Sequence, residues 1–158
     1  FTTVKHSSHE NGQTVIFFRA NTPNGGAVMS DQNHQQISSL LAEYAEKGHT
    51  GTFFTEKATE DFQFIRPSGN PIDAAGFTAM FSSGDINVSK SAVAKIHKLD
   101  VYGDIAFAAF TQTVEFTYKG TPNDDVCTVS ALLKKVSGDW KIAWMQRSGG
   151  DADLESWS

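Results

Sequence analysis

The sequence predicts a single α+β domain in which a curved antiparallel sheet wraps around three helices, with an N-terminal β-hairpin added. Three segments between Ser30 and Gly84 have apolar residues at helical spacing, and after Gly84 the apolar residues alternate as in β-strands. The 158 residues are 39% hydrophobic and 20% charged, which is ordinary for one globular domain. Helices do not completely fill a strongly curled sheet, so we expect a pocket between the two layers.

Composition argues against several classes of function. The formal charge of -5 and the lack of a basic stripe argue against nucleic-acid binding. No apolar run reaches the roughly 20 residues that cross a bilayer, so we expect a soluble protein without membrane contact. The single cysteine, Cys127, excludes an internal disulfide and a Cys-x-x-Cys site. The sequence begins with Phe1, which leaves both a removed leader and a trimmed chain open, and the compartment is not assigned.

Residues 1–29 are predicted to form a hairpin and a connector within the same domain. Strand-like runs flank Asn11-Gly12, a dipeptide favoured in tight hairpin turns. Turn-forming residues from Asn21 to Gly26 make the connector. His6 and His9 would point to opposite faces of a regular strand, and the chain has no metal-binding or phosphate-binding motif. We therefore expect neither a metal nor a cofactor.

Three helices are predicted in the first half of the chain. From Ser30 to Gly48 apolar residues recur at i, i+3, i+4 and i+7, with Ser30 or Asp31 as the N-cap. Thr50 to Ala58 gives a short second helix, and Ile72 to Phe81 gives the third. Between these two helices, the strand that ends at Arg66 alternates before a Pro-Ser-Gly turn.

Four strands are predicted after Gly84. They are separated by turns at Gly103-Asp104, Gly120–Asn123 and Ser137-Gly138, which are short enough to join antiparallel neighbours. The acidic segment 149–158 is predicted to be a tail. The domain core therefore spans residues 30–148.

Four stretches between Ile37 and Ser148 follow a known order of elements: "LLAEYAEKG", "FFTEKATEDFQFIRPSGNPIDAAGFTAMF", "LDVYGDIAFAAFTQTVEF" and "LLKKVSGDWKIAWMQRS". In these stretches the chain resembles the nuclear transport factor 2-like superfamily, specifically its SnoaL-like and ketosteroid isomerase-like branch. The resemblance implies a cystatin-like cone with a pocket, and a homodimer formed through the outer face of the sheet. It implies no single activity, because the fold hosts isomerases, dehydratases, cyclases, hydrolases and assembly modules.

At Arg66 the sequence departs from the isomerases of that branch. They place a general-base carboxylate just before the proline of this strand, whereas arginine keeps its proton at any ordinary pH. The isomerase mechanism is therefore not implied. Arg66 shares a face with Phe62 and Phe64, so we interpret it as a cation that fixes a carboxylate, phosphate or enolate oxygen. The alternative is a structural ion pair with one of the nearby acids, Glu60, Asp61 or Asp73.

His97, Arg66 and Tyr44 are the predicted catalytic residues if the protein is an enzyme. Histidine titrates near neutral pH, and His97 has the same strand parity as Leu99 and Val101. Tyr44 lies on the inward row of the first helix and can donate to a ligand oxygen. Such an enzyme would be an isomerase or lyase that moves a proton without a metal. The alternative for His97 is a local structural hydrogen bond.

Strand alternation also selects residues that would bind a ligand. Gln112 falls on the more apolar row of its strand, and Gln146 and Ser148 share a row with Trp140 and Ile142. These side chains converge on one cavity if all the rows face the helices. The predicted ligand contacts are Phe54, Phe62, Phe64, Phe110, Gln112, Trp144, Gln146 and Ser148.

The sequence leaves three functions open. The first is a pocket protein, either an enzyme or a carrier, for a small apolar molecule with a polar or anionic end. The second is a non-catalytic dimerisation or association domain whose aromatic residues fill the cone; cavity volume separates it from the first. The third is a lyase similar to the metal-independent carbonic anhydrases, whose His-His-Ser-Ser stretch is replaced here by Gln146-Arg147-Ser148-Gly149.

Overall fold

A computed structural model describes residues 9–10, 13–14 and 25–153 of the chain. Their elements, in chain order, are β1 (His9–Glu10), β2 (Gln13–Thr14), α1 (Gly25–Lys47), α2 (Phe53–Lys57), β3 (Ala58–Ile65), β4 (Pro71–Ile72), α3 (Ala74–Ser82), β5 (Ile86–Tyr102), β6 (Ile105–Tyr118), β7 (Thr121–Val136) and β8 (Asp139–Arg147). None of the helices among these residues is long and apolar enough to cross a lipid bilayer.

The N-terminal hairpin is present as a short antiparallel ladder. His9 lies opposite Thr14 and Glu10 lies opposite Gln13, which agrees with the predicted hairpin. The predicted turn at Asn11-Gly12 lies outside the described residues. His6 and most of the predicted connector lie outside them as well.

Six strands form one curved, open sheet in the order β4-β3-β8-β7-β6-β5. Neighbours are antiparallel except β3 and β8, which run parallel. Helix α1 packs on the concave face through the buried side chains of Ile37, Leu41 and Tyr44. Asn33 fixes this packing, because its Oδ1 accepts hydrogen bonds from Trp140 Nε1 and a lysine on β7. The predicted α+β fold, with a sheet wrapped around helices, is confirmed.

The helices begin at different residues from those expected. Helix α1 begins at Gly25 rather than at Ser30, because an exposed serine is tolerated inside a helix as well as at its cap. Helix α3 begins at Ala74, where Asp73 Oδ1 accepts a 2.7 Å hydrogen bond from Gly76 N. Ile72 instead belongs to β4, which pairs with β3.

A β-bulge in β8 reverses the faces of its last residues. Leu133 pairs with Ile142 but Leu132 pairs with Trp144, so Ala143 is the extra residue. After the bulge Met145 is fully buried and Gln146 is exposed. The prediction that Trp144 and Gln146 share the inward row of Trp140 and Ile142 is therefore wrong, because it assumed unbroken alternation.

Two bulges in β5 move His97 to the convex face of the sheet. Val93 pairs with Gln112 and Lys95 pairs with the preceding residue of β6, Thr111, so one residue of β5 between them is extra. Ile96 and Lys98 likewise pair with successive residues of β6, so His97 is a second extra residue. The His97 imidazole lies 2.7 Å from Thr111 Oγ1, which is on the face opposite to Gln112. The prediction that His97 shares the inward face of Leu99 is wrong for the same reason as in β8.

Removing a core aromatic ring should destabilise the domain strongly. Phe62 is 1% exposed and stacks on Phe54 with ring centroids 4.6 Å apart. We expect Phe62→Ala to lower the free energy of unfolding by about 3–5 kcal/mol, because it leaves a cavity in the core. Ile105→Ala, at a side chain that is 49% exposed, is the matched control and should change it by less than about 1 kcal/mol. Urea unfolding of both variants tests this; equal losses would contradict the assigned core.

Stability should fall as the pH is lowered through the range where histidine titrates. Burial and the charge of Lys95 lower the pKa of folded His97 below that of unfolded histidine, which is about 6.5. The His97 contribution is therefore complete above about pH 6.5 and is lost as the pH falls toward the folded pKa. His97→Gln, which keeps a partner for Thr111, should make urea unfolding less dependent on pH between about pH 5 and 7. An unchanged pH dependence would contradict the assignment.

Candidate functional site

A cavity of about 230 Å³ lies between the helices and the concave face of the sheet. Its polar lining comes from α1, β5, β6, β8 and the segments that follow α1 and β3. The polar lining residues are Tyr44, His49, Arg66, Ser91, Gln112 and Arg147. The apolar lining includes Phe64, Phe77, Met80, Phe81, Val88, Val114 and Phe116. The cone is therefore not plugged by its aromatic residues.

Arg66 is held at the cavity by the turn that follows β3. Pro67 begins the turn, Gly69 has a φ of 83°, and Gly69 N donates a 2.8 Å hydrogen bond to Arg66 O. The carbonyl of Asn70 accepts from both the backbone N and the Nε of Arg66, at 3.2 Å each. Within residues 25–153, no hydrogen bond uses the terminal Nη groups of Arg66. The turn therefore fixes the base of the guanidinium and leaves its outer donors available.

The ion pair considered as an alternative for Arg66 does not form. Asp61 instead pairs with Lys134 at 3.1 Å and accepts a hydrogen bond from Thr59. Asp73 caps α3. Among residues 25–153, no ion pair involves Arg66.

Arg147 is a second arginine on the same wall of the cavity. Ile65 pairs with Gln146 in the parallel ladder of β3 and β8, so Arg66 and Arg147 are the next residues of the two adjacent strands. The bulge at Ala143 turns Arg147 inward. Parallel neighbours on adjacent strands have backbones about 5 Å apart, so the two side chains leave the wall next to each other.

Asp125 and Cys127 position the Arg147 guanidinium. Nη2 donates to Asp125 Oδ2 at 2.6 Å and Nε donates to Cys127 Sγ at 3.0 Å. Burial opposes the charge of Arg147, but the Cys127 sulfur and the Asp125 carboxylate outweigh burial and raise its pKa. Burial also raises the pKa of the Cys127 thiol, so the sulfur is neutral at pH 7 and Asp125 is the effective counter-ion. Arg147 remains a fixed cation with 20% of its side chain exposed.

Three of the other polar groups form a hydrogen-bonded chain in the cavity. Tyr44 donates its hydroxyl to Gln112 Oε1 at 3.4 Å, and Gln112 Nε2 donates to Ser91 Oγ at 2.9 Å. Burial raises the pKa of Tyr44, so its phenol stays protonated at physiological pH. Gln112 is 6% exposed, which agrees with its predicted place on the covered face of β6.

The predicted site residues are divided among three environments. Tyr44, Phe64, Arg66 and Gln112 line the cavity together. The other three predicted phenylalanines, Phe54, Phe62 and Phe110, lie in the hydrophobic core behind it. The remaining ones lie away from the cavity: His97, Trp144 and Gln146 on the convex face, and Ser148 beyond β8, where its Oγ accepts from Thr128 N at 2.9 Å.

Sequence reasoning missed three polar residues that line the cavity, namely Arg147, Ser91 and His49. Arg147 was missed because a bulge changes the faces of β8. Ser91 was missed although its strand parity is that of Val93, so that simple alternation places it on the covered face. His49 was missed because it follows the glycine that ends α1, where no periodicity applies. The clearest signal in the sequence is the run Ile142-Ala143-Trp144-Met145. Four successive apolar residues break the alternation of a strand and indicate that the inward face changes there.

Among the residues that the structure places, no group of three or more His, Cys, Asp or Glu side chains is arranged to hold a metal ion. No acidic residue lines the cavity within this part of the chain. The site thus presents two guanidinium groups and several hydroxyl and amide groups against an aromatic wall. Such an arrangement can bind an organic anion and shield its apolar part from water.

Comparisons with known proteins place the chain in a family. The model of the family described as "Protein of unknown function (DUF3804)" matches residues 32–158. An NTF2-like protein of unknown function from Prochlorococcus marinus is 47% identical, with a TM-score of 0.75 over 78% of this chain and 98% of that chain. None of the curated proteins matches the sequence significantly.

More distant structures share the fold alone. An NTF2-like protein with a cystatin-like fold from Novosphingobium aromaticivorans is 15% identical, with a TM-score of 0.64 over 82% of this chain and 90% of that chain. The association domain of CaMKII from C. elegans is 18% identical, with a TM-score of 0.56 over 79% of this chain and 99% of that chain. The resemblance to the nuclear transport factor 2-like superfamily is confirmed, and the chain belongs to the DUF3804 family of NTF2-like proteins.

Proposed function

We propose that this chain is a pocket protein that binds a small carboxylic acid with an apolar body. The observation that carries the proposal is the pair of adjacent arginines, Arg66 and Arg147, in a largely apolar cavity that has no acidic side chain in its lining among the residues described. Guanidinium groups hold carboxylates through two parallel hydrogen bonds. The aromatic wall of Phe64, Phe77 and Phe81 would enclose the apolar part of the acid.

The charge balance favours a singly charged ligand. Two guanidinium groups and the one carboxylate that pairs with Arg147 leave one positive charge at the site. A carboxylate neutralises that charge, whereas a phosphate ester with two negative charges would leave one charge in a partly buried place. The volume of about 230 Å³ lies below the range of roughly 300–1,000 Å³ for drug-sized ligands, which favours a small acid.

The same site favours a carrier over a proton-transferring enzyme. His97, the acid/base residue expected from the sequence, lies on the convex face, and Tyr44 is a protonated donor. If the protein catalyses a SnoaL-like isomerisation, cyclisation or elimination, His49 is the histidine that lines the cavity and the residue to test as the base. No cofactor is required for binding. The carbonic anhydrase-like alternative has no support from Gln146 or Ser148, which do not line the cavity.

Hexanoate should bind, and both arginines should contribute. We expect hexanoate to shift the NMR signals of cavity residues, while hexylamine, which has the same chain and the opposite charge, should not. Arg66→Gln should weaken hexanoate binding about ten- to a hundredfold, because a hydrogen bond to a charged group contributes about 1.5–3 kcal/mol. Arg147→Gln should weaken it at least as much, because it also leaves the negative charge of Asp125 unpaired near the ligand.

Lys90→Gln is the matched control for these two variants. Lys90 pairs with Glu115 on the convex face, so its substitution removes a charge without changing the cavity. Hexanoate affinity should be unchanged in this variant. Equal binding of hexanoate and hexylamine, or full affinity in both arginine variants, would contradict the proposal.

A second candidate function is subunit association through the convex face of the sheet. Phe107, Leu132 and Trp144 are register partners across β6, β7 and β8, and they make an apolar row on that face. Phe107 is 36% exposed. The similarity of the fold to a CaMKII association domain supports the same use of this chain. Association as a homodimer and ligand binding would use opposite faces of one sheet, so the two functions are compatible.

A charge in the apolar row should disrupt this association. We expect size-exclusion chromatography with light scattering to give a dimer for the wild-type chain and a monomer for Leu132→Glu, because a buried unpaired carboxylate is costly. Gln36→Glu, which adds the same charge on the exposed side of α1, is the matched control and should remain dimeric. A monomeric wild-type chain, or a dimeric Leu132→Glu variant, would contradict this interface.

A further inference from the structure

We propose that Ser91 and its hydrogen-bonded chain form a second polar subsite, so that the ligand is a carboxylic acid that also carries a ketone or ether oxygen. This inference rests on the proposed function, because it assigns the other end of the same ligand. Ser91 lies on β5, at the opposite side of the cavity from Arg66 and Arg147, and nothing in the arginine site requires it.

The inference depends on the hydrogen-bond donors and acceptors of Tyr44, Gln112 and Ser91. In the assigned arrangement Tyr44 donates to Gln112, and Gln112 donates to Ser91. Within the described part of the chain, Ser91 Oγ makes no other hydrogen bond, so no protein group described here accepts the hydrogen of its hydroxyl group. Ser91 is half-buried and lines the cavity, so this hydrogen is donated into the cavity, and a ligand that displaces water there must supply an acceptor or leave the donor unpaired.

Reversing the side-chain amide of Gln112 does not remove the spare hydrogen. In the reversed arrangement Ser91 would donate to Gln112 and Gln112 would donate to Tyr44, which leaves the phenol hydrogen without an acceptor. In either arrangement one hydroxyl hydrogen is therefore available to an acceptor in the cavity. The matching group on the ligand is an oxygen that accepts a hydrogen bond.

The strand order sets the spacing between the two ends of the ligand. Ser91 on β5 is three strands away from Arg147 on β8, which is about 14 Å between backbones. The arginine side chain extends across part of that distance. The accepting oxygen is therefore several carbon atoms away from the carboxylate, and the aromatic residues cover the chain between them.

Matched acids with and without a ketone test the subsite. The test uses two hexanoate analogues, one with a ketone carbonyl at the fourth carbon and one with it at the fifth. We expect at least one of them to bind the wild-type chain about three- to tenfold more tightly than hexanoate, because it gains one neutral hydrogen bond. Either Ser91→Ala or Tyr44→Phe should abolish that preference, and which of them does so identifies the orientation of Gln112. The preference is measured as the ratio of the two affinities within each variant, and Lys90→Gln, which lies outside the cavity, should keep the wild-type ratio.

The outcomes separate this inference from the proposed function. Binding of hexanoate without a preference for any ketone analogue would overturn the Ser91 subsite and leave the arginine site supported. A preference that persists in both variants would also overturn the subsite. Failure of hexanoate and of every ketone analogue to bind would overturn both proposals.

Discussion

The candidate site depends on one irregularity in the sheet, the bulge at Ala143 in β8. Because side chains alternate along a strand, one extra residue exchanges the inward and outward faces of everything that follows it. Met145 and Arg147 then face the helices, and Arg147 comes beside Arg66 of β3. Without the bulge the wall would carry Gln146, and the cavity would have one arginine. The anion-binding character of the site is thus a consequence of backbone register.

A cation in such a position requires compensation. Arg147 is mostly buried, and moving a charge out of water is unfavourable unless hydrogen bonds and an opposite charge replace the water. Asp125 and Cys127 supply these contacts on one side of the guanidinium. Arg66 needs less compensation, because it lies at the rim and its Nε is held by the Asn70 carbonyl. The two arginines therefore differ: one is fixed by its neighbours, and the other keeps its outer donors for a ligand.

The sequence predicts the regular parts of this structure well and the irregular parts poorly. Gln112 was placed correctly because β6 pairs with β7 without a shift from Ile105 to Tyr118, so alternation applies throughout. Tyr44 was placed correctly because helical periodicity holds along α1. The predicted faces of His97 and Gln146 are wrong because a bulge depends on how two strands pair. The alternation within one strand contains no information about that pairing. The cavity volume was not predictable for a related reason, since it depends on how strongly the sheet curves.

The alternation of β6 also determines how ligand binding and association are related. Thr111 and Gln112 are neighbours in the chain, yet Thr111 contacts His97 on the convex face while Gln112 contacts Ser91 in the cavity. Side chains on the two faces do not touch, so a ligand can influence an interface on the convex face only by changing the backbone they share. β6 is paired on both sides along its length, which resists such a change. Any coupling between binding and association is therefore expected to run through the bulged strands β5 and β8, which carry Ser91 and Arg147 and where the pairing is already interrupted.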